Sequence, residues 1–310
     1  MTRISNIASS LLANPSYTAM RGVARFQTLR NAAAIARQVT YAGQFRRYLD
    51  ALEHGGARSL FSGLDRQSFA DDLEKRGVAF GLKLPVRIVE QITDWAKNNV
   101  SYADRDVKLG FCLDDREEAQ SKLKKPILVS QYFNTTRDCD AISQLANDPG
   151  LLWIAANYLK SPPTFVGANL WWTFPVDASE ADRSKHAHVF HRDVDDFKFF
   201  KFFFYLTDVP PGEGAHVCVA GSHVNPPKRR LSDAWVIRRY DDGEIFETYP
   251  AEDILEICGE AGEGFAENTL CVHKGSTPRT EARLLLQLQF AMFDHGVMHD
   301  NRSLDSLEMV

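Results

Sequence analysis

Residues 164–291 predict a sandwich or barrel of short strands, and the chain as a whole reads as mostly β with flanking helices, preceded by a basic helical extension. Three observations lead there. Seven short apolar runs bounded by turn residues follow one another, and most are not separated by helical crossovers, which argues against a parallel sheet. Helical periodicity and capping signals are concentrated ahead of those runs. The first 49 residues hold seven arginines (Arg3, Arg21, Arg25, Arg30, Arg37, Arg46, Arg47) and no acid, so the remainder carries 29 basic against 41 acidic residues, a balance of −12. The division this implies is an extension over residues 1–65 and a domain over residues 66–310.

In chain order, Met20, Val23, Phe26, Leu29, Ala33 and Ala36 recur at loosely helical spacing. Tyr41, Phe45, Tyr48, Leu49 and Leu52 do so more cleanly, and Gly55-Gly56 ends the pattern. Phe69 to Arg76 predicts a short helix capped by Ser68, and Gly77 to Leu82 a strand. Pro85 opens a helix whose Val86, Ile88, Val89, Ile92 and Trp95 lie mostly on one side. Ser101 to Lys125 is polar and reads as loop-rich; Pro126 to Phe133 reads as a strand and Asp138 to Ala146 as a helix. Asp148-Pro149 then pairs a capping carboxylate with a proline at the first helical position, ahead of the apolar run Leu151 to Leu159. The seven strands follow: Thr164 to Phe174, Ala187 to Asp193, Lys198 to Thr207, His216 to Ala220, Ile254 to Cys258, Thr269 to His273 and Arg283 to Ala291.

The 310 residues are 44% hydrophobic, enough for a buried core. Five scattered cysteines (Cys112, Cys139, Cys218, Cys258, Cys271) without a Cys-x-x-Cys pair argue against a disulfide framework or zinc ribbon and favour a reducing, cytoplasmic compartment. No window approaches a membrane span. The acid-free start leaves three readings open: a helical extension packed on its own acidic domain, an organelle transit segment, or a basic helix in peripheral contact with a membrane. Nucleic acid is not an expected partner, and oligomeric state is not legible.

In an extended segment, residues i and i+2 share a face, so His191 and Asp193 present an imidazole and a carboxylate to one point while Arg192 faces away. His273, ending another apolar run, offers a third donor. Two histidines and one carboxylate on one side of a cation leave positions open for non-haem Fe(II) and oxygen chemistry. Ten residues further on, Arg283 opens a strand where its guanidinium could grip a carboxylate through two parallel hydrogen bonds.

These residues, with the ordered features around them, resemble the phytanoyl-CoA dioxygenase family of Fe(II)- and 2-oxoglutarate-dependent oxygenases. The resemblance covers about Phe69 to Met292. It includes the Asp148-Pro149 helix, His191-x-Asp193, the Gly212 to His223 segment, His273 and Arg283. Ala220-Gly221-Ser222-His223 stands where the family has a Pro-Gly-Ser-His turn, with alanine replacing the proline. The resemblance implies a double-stranded β-helix, a jelly roll whose open end holds iron on His191, Asp193 and His273. It further implies that Arg283, with Arg279 the alternative, anchors the distal carboxylate of 2-oxoglutarate. Ser276 could add a hydroxyl there, and reads equally as a turn serine. The implied reaction takes O2 and a small organic or lipid-like substrate and releases succinate and CO2. It is hydroxylation rather than halogenation, because halogenating relatives lack the metal-binding carboxylate that Asp193 supplies.

Other readings use the same residues. His-Arg-Asp also occurs in protein kinases, but the glycine-rich loop and Asp-Phe-Gly are missing and Lys198 stands where the magnesium-binding asparagine belongs. His186-Ala187-His188 resembles the His-x-His of a cupin isomerase or dioxygenase without the glutamate that usually follows, leaving His186 and His188 as loop or substrate-facing residues. A non-catalytic jelly-roll binding module is the third alternative. The run Phe199 to Tyr205 reads as a strand buried on both faces, Trp171 and Trp172 as core or pocket, and Lys228, Arg229, Arg230, Arg238 and Arg239 as a basic loop cluster.

Overall fold

A computed structural model describes residues 14–228 and 238–310. Arg3, Arg229 and Arg230 lie outside the described residues. The chain begins with α1 (Pro15–Val23), α2 (Gln27–His54), α3 (Arg66–Arg76), β1 (Val78–Lys83), α4 (Val86–Lys97), β2 (Ser101–Ala103), β3 (Gly110–Phe111) and α5 (Arg116–Leu123). It continues through β4 (Val129–Tyr132), α6 (Thr135–Asp138), α7 (Asp140–Ala146), α8 (Pro149–Leu159), β5 (Thr164–Thr173), α9 (Glu180–Lys185), β6 (Phe199–Tyr205) and β7 (His216–Val219). The last elements are α10 (Asp242–Thr248), β8 (Ile254–Ile257), β9 (Glu263–Glu267), β10 (His273–Lys274) and β11 (Arg283–Ala291).

Two antiparallel sheets organise the molecule. The larger has eight strands in the order β1-β9-β6-β11-β5-β4-β2-β3, and the smaller has three in the order β10-β7-β8. Alternation along the central strands sorts their side chains. Phe200, Phe202 and Phe204 of β6, with Leu284, Leu286 and Leu288 of β11, join Ile88, Ile92, Ile142, Leu151 and Ile154 in a core between the large sheet and the helices. The intervening Phe203, Tyr205 and Leu285 pack with Cys218 and Ile257 of the small sheet. At about 1.5–3 kcal/mol for each large apolar side chain fully buried, the helix-facing layer supplies the bulk of the hydrophobic stabilisation. The aromatic run is thus a strand buried on both faces, and helices contain more residues than strands, α2 alone having 28.

Capping chemistry sets the helix starts. Asp148 accepts from Gly150 N at 2.8 Å and Leu151 N at 3.1 Å, with Pro149 at the first position, as the sequence predicts. Helix α3 begins at Arg66 because Asp65 caps it, accepting from Gln67 N and Ser68 N, which displaces the expected Ser68 cap. The helix expected over Asp138 to Ala146 is divided into α6 and α7 by the extended Cys139 (φ −124°). Helix α2 runs against α8, where Gln38 donates to Leu159 O at 3.2 Å and Trp153 to Glu53 at 3.0 Å. Three arginines of the basic N-terminal region engage the chain itself: Arg21 donates to Val194 O, buried Arg30 to Ala24 O, and Arg37 lies over the rings of Tyr41 and Phe293. Among the described residues no helix is long and apolar enough to cross a membrane.

Three sequence expectations are corrected. Ala187 to Asp193 forms no regular strand: Ala187 takes a left-handed turn (φ 65°), leaving only bridges from Phe190 to Tyr240 and from His191 to His273. Thr269 to His273 is reduced to His273–Lys274, because Cys271 N bonds back to Asn268 O in a turn. The polar stretch 101–125 contains β2, β3 and α5, and β9 has no counterpart among the expected strands.

Candidate metal centre

The bridge between His191 and His273 builds the site. Each backbone N–H donates to the other residue's carbonyl at 2.9 Å, and Asp193 N donates to Thr269 O at 2.8 Å, so two distant segments are locked side by side. Both imidazoles are pinned through Nδ1, His191 to Val189 O and His273 to Cys271 O, each at 2.9 Å. With Nδ1 carrying the proton for those carbonyls, Nε2 is left as the lone-pair donor. The two Nε2 atoms face one carboxylate, His191 at 3.7 Å from Asp193 Oδ1 and His273 at 3.7 Å from Oδ2, and one donor atom from each residue lies within 4.8 Å of the others. Arg192 points away and donates to Leu270 O.

The surroundings favour the metal-ready charge states. Burial, reinforced by neighbouring His273, holds the His191 pKa well below the usual imidazole range, keeping it a neutral donor. Burial alone would raise Asp193, but the Lys201 ammonium outweighs it and keeps the carboxyl ionised. Lys201 Nζ lies 2.6 Å from Asp193 Oδ2 and 3.3 Å from Asp195 Oδ2. Behind His273, the ring of His216 stacks at 5.5 Å and its Nε2 meets Glu267 at 2.5 Å. Burial pushes Glu267 up to about 8 and, with Arg283, pushes His216 down to about 3, so this pair is neutral near pH 7.

The triad opens into a cavity of about 190 Å³ whose wall includes Arg105, Trp171, His186, His188, Lys201 and Arg283. Arg283 is 3% exposed, and its Nη2 donates to Thr173 at 3.1 Å. Its Nε and Nη1 have no protein partner. Burying a guanidinium with two unsatisfied donors is costly, and an anion bound in the cavity would remove that cost. The donor set therefore fits both a divalent first-row cation and a carboxylate held two-pronged beside it.

The architecture around this cavity has known counterparts. It resembles the fold of an epimerase. The structure of SnoN from nogalamycin biosynthesis, in complex with Fe3+, α-ketoglutarate and nogalamycin RO, is 16% identical over 73% of this chain and 82% of that one, with a TM-score of 0.52. HygX from Streptomyces hygroscopicus, with nickel and 2-oxoglutarate bound, is 15% identical over 73% and 86%, with a TM-score of 0.49. The carbocyclase SnoK is 13% identical over 76% and 86%, at 0.48. No protein-family model and no curated protein sequence matches the chain.

Of the residues singled out in the sequence, His191, Asp193, His273 and Arg283 meet in this one cavity, and His186, His188 and Trp171 line it. Trp172 turns to the helix-facing core. Arg279 stands against the Gly212 turn and is not on the cavity wall. Ser276 is not on it either; its neighbour Thr277 bonds His188 Nδ1 at 2.9 Å. Ser222, in the Gly-Ser-His turn, supports the site indirectly, since its hydroxyl accepts from Val272 N at 2.7 Å and so fixes the approach to His273. In the basic loop cluster, Arg238 pairs with Glu244 and Arg239 donates to Ser184 O. Sequence reasoning missed Lys201, His216, Glu267 and Arg105. Lys201 had a signal, a lone lysine inside an otherwise aromatic strand, because a buried ammonium requires an acid.

Proposed function

We propose that the chain is an Fe(II)- and 2-oxoglutarate-dependent oxygenase of the phytanoyl-CoA dioxygenase type, built on a double-stranded β-helix, that hydroxylates a small organic or lipid-like substrate. The observation that carries this reading is one cavity holding three convergent metal donors and a buried arginine with two unpaired donors. His191, Asp193 and His273 would hold the iron, and Arg283 with Thr173 the distal carboxylate of 2-oxoglutarate. Iron held there, with 2-oxoglutarate and O2, would supply an oxidant for C–H bonds, with succinate and CO2 as co-products.

The chain's own residues do the rest. Val189 O and Cys271 O fix the two imidazole tautomers. Lys201 holds Oδ2 of Asp193 and so limits rotation of that carboxylate. Trp171, Phe203 and Leu285 supply the apolar part of a wall that is otherwise mostly polar. Keeping Asp193 as a ligand fills the position that chloride takes in halogenating relatives, which favours hydroxylation.

The test is an anaerobic titration of the full chain with Fe(II) and then 2-oxoglutarate, following the visible charge-transfer band. A saturable band, lost in folded Asp193→Ala, is the expected result; a folded wild-type protein that binds neither removes the reading. Succinate release paired with mass spectrometry of the product, with chloride present, separates the outcomes of the reaction. A chlorinated main product would remove Asp193 from the ligand set.

A further inference from the structure

The turn that follows β2 puts two consecutive side-chain-bearing residues in the left-handed region, Asp104 at φ 56° and Arg105 at φ 61°. Such residues adopt this conformation only where surrounding contacts impose it. Here the contacts centre on the Asp104 carboxylate, which accepts from Lys125, from Lys185 at 3.1 Å and from His186 Nε2 at 3.1 Å. Asp104 N also donates to Val129 O at 2.9 Å. Asp104 thereby ties the turn to α9 and to the segment leading into His188. The result is that Arg105 and His186, brought together by the same carboxylate, both reach the wall of the metal cavity.

Among the described residues, the Arg105 side chain has no ion-pair or hydrogen-bond partner there. Its guanidinium lies 5.6 Å from the centroid of the Trp171 ring, and no described carboxylate approaches within 4.0 Å. His186 is almost fully buried, and its Nδ1 is likewise unpartnered. Arg105 is solvent-exposed at its place on the cavity wall, and the nearby Asp193 carboxylate favours its charge.

Counting charges shows what the site lacks. The ionised groups on the wall are Arg105, Lys201 and Arg283 against Asp193, with Asp195 taking the other side of Lys201. In the oxygenase reading the distal carboxylate of 2-oxoglutarate occupies Arg283. Lys201 is satisfied by two acids, and burial keeps His188 neutral. Of the ionised cationic groups on the wall, Arg105 alone has neither an acid nor the distal carboxylate assigned to it. Arg105 and Arg283 also enter from different places, the first after β2 and the second on β11. These strands are three places apart in the sheet, about 14 Å at the usual strand spacing.

We infer that Arg105 anchors an anionic group of the substrate to be oxidised, so that the enzyme acts on an acidic small molecule bearing a carboxylate or a phosphate ester. This rests on the oxygenase reading above. Trp171 backs the anchor with its ring face, and the β2 turn fixes where its side chain starts, so the anion sets the distance from the metal at which the substrate carbon lies.

The test uses the full chain loaded anaerobically with Fe(II) and 2-oxoglutarate, whose charge-transfer band reports occupation of the neighbouring space. Probes are the straight-chain acids from hexanoic to dodecanoic, the alkyl phosphates of the same lengths, and the matching amides and alcohols. The acids or the phosphates should perturb the band with at least about tenfold higher affinity than their neutral partners, as a charge-assisted bidentate contact implies. Whichever anion leads identifies the group recognised. Arg105→Gln should erase that preference, with 2-oxoglutarate affinity changed by less than about twofold, and Arg105→Lys should restore part of it.

The inference is overturned if the preference survives in Arg105→Gln, if no anion perturbs the wild-type band, or if Arg105→Gln weakens 2-oxoglutarate itself. A wild-type protein with no band at all removes the oxygenase reading first. Calorimetric titration of the metal-free chain with the same probes, wild type against Arg105→Gln, then decides whether Arg105 holds an anion.

Discussion

The strands of the large sheet turn one set of side chains to the helices and another to the cavity, and the two sets differ in kind. Toward the helices, β6 and β11 present Phe200, Phe202, Phe204, Leu284, Leu286 and Leu288. Toward the cavity the same strands present Lys201, Phe203, Arg283, Leu285 and Gln287. Neighbouring residues on one strand therefore differ in role at two places: Phe200 and Phe202 flank Lys201, and Leu284 follows Arg283, so apolar burial stands next to a charge held at some energetic cost. The difference teaches that the stability of this fold and its chemistry are separable by alternate residues, because a strand sends successive side chains to opposite faces.

The sharpest way to break that division is to remove a donor. His273→Ala should reduce Fe(II) affinity by more than the roughly 10–100-fold that loss of an outer partner of a metal ligand costs. The metal-free protein should still unfold cooperatively; calorimetry with and without Fe(II) checks both. A helix-facing change should do the reverse. Phe202→Ala, at a fully buried position, should cost about 3–5 kcal/mol in denaturant unfolding, yet bind Fe(II) normally under conditions where it is folded. If the two variants fail in the same assay, the faces are not separable.

Arg283→Lys keeps a charge but loses the planar fork, and 2-oxoglutarate binding should weaken by about 10–100-fold with iron binding nearly intact. An unchanged affinity would move the anchor to another group. Calorimetric titration of the iron-loaded protein reads this directly.

The smallest effect concerns pH. Hydrogen bonding from His186, with Lys125 and Lys185, holds the Asp104 carboxyl below its usual value of 3.8. The folded state thus binds fewer protons than the unfolded one, so this stabilisation is complete above the unfolded pKa and is lost as pH falls toward the folded value. Asp104→Asn should lower stability at pH 7 and flatten the decline below about pH 4. Urea midpoints across that range, wild type against variant, provide the check.

Local chemistry was legible wherever one residue dictates its own surroundings. The Asp148-Pro149 start of α8, the shared face of His191 and Asp193, and the double burial of Phe199 to Tyr205 all follow from capping or period-two geometry. What stayed hidden depends on partners far along the chain. Ala187 to Asp193 looks like a strand, but among the described residues it makes only single bridges, Phe190 to Tyr240 and His191 to His273, and the left-handed Ala187 turns it aside. Glu267 sits in a short run of acids, glycine and alanine that announces no strand, and its burial makes sense only once His216 is placed opposite. Arg105 lies in a polar stretch whose function depends on Asp104 meeting lysines and a histidine from other segments.

The mutual backbone pairing of His191 and His273 has a consequence for stability. The chain between them includes β6, β7, α10, β8 and β9, and all of it must be gathered before the two imidazoles face each other. A cation held by both rings acts as a reversible crosslink that closes this long loop, and its binding energy is available only to the closed form. In the finished protein such a crosslink would therefore oppose opening of this loop.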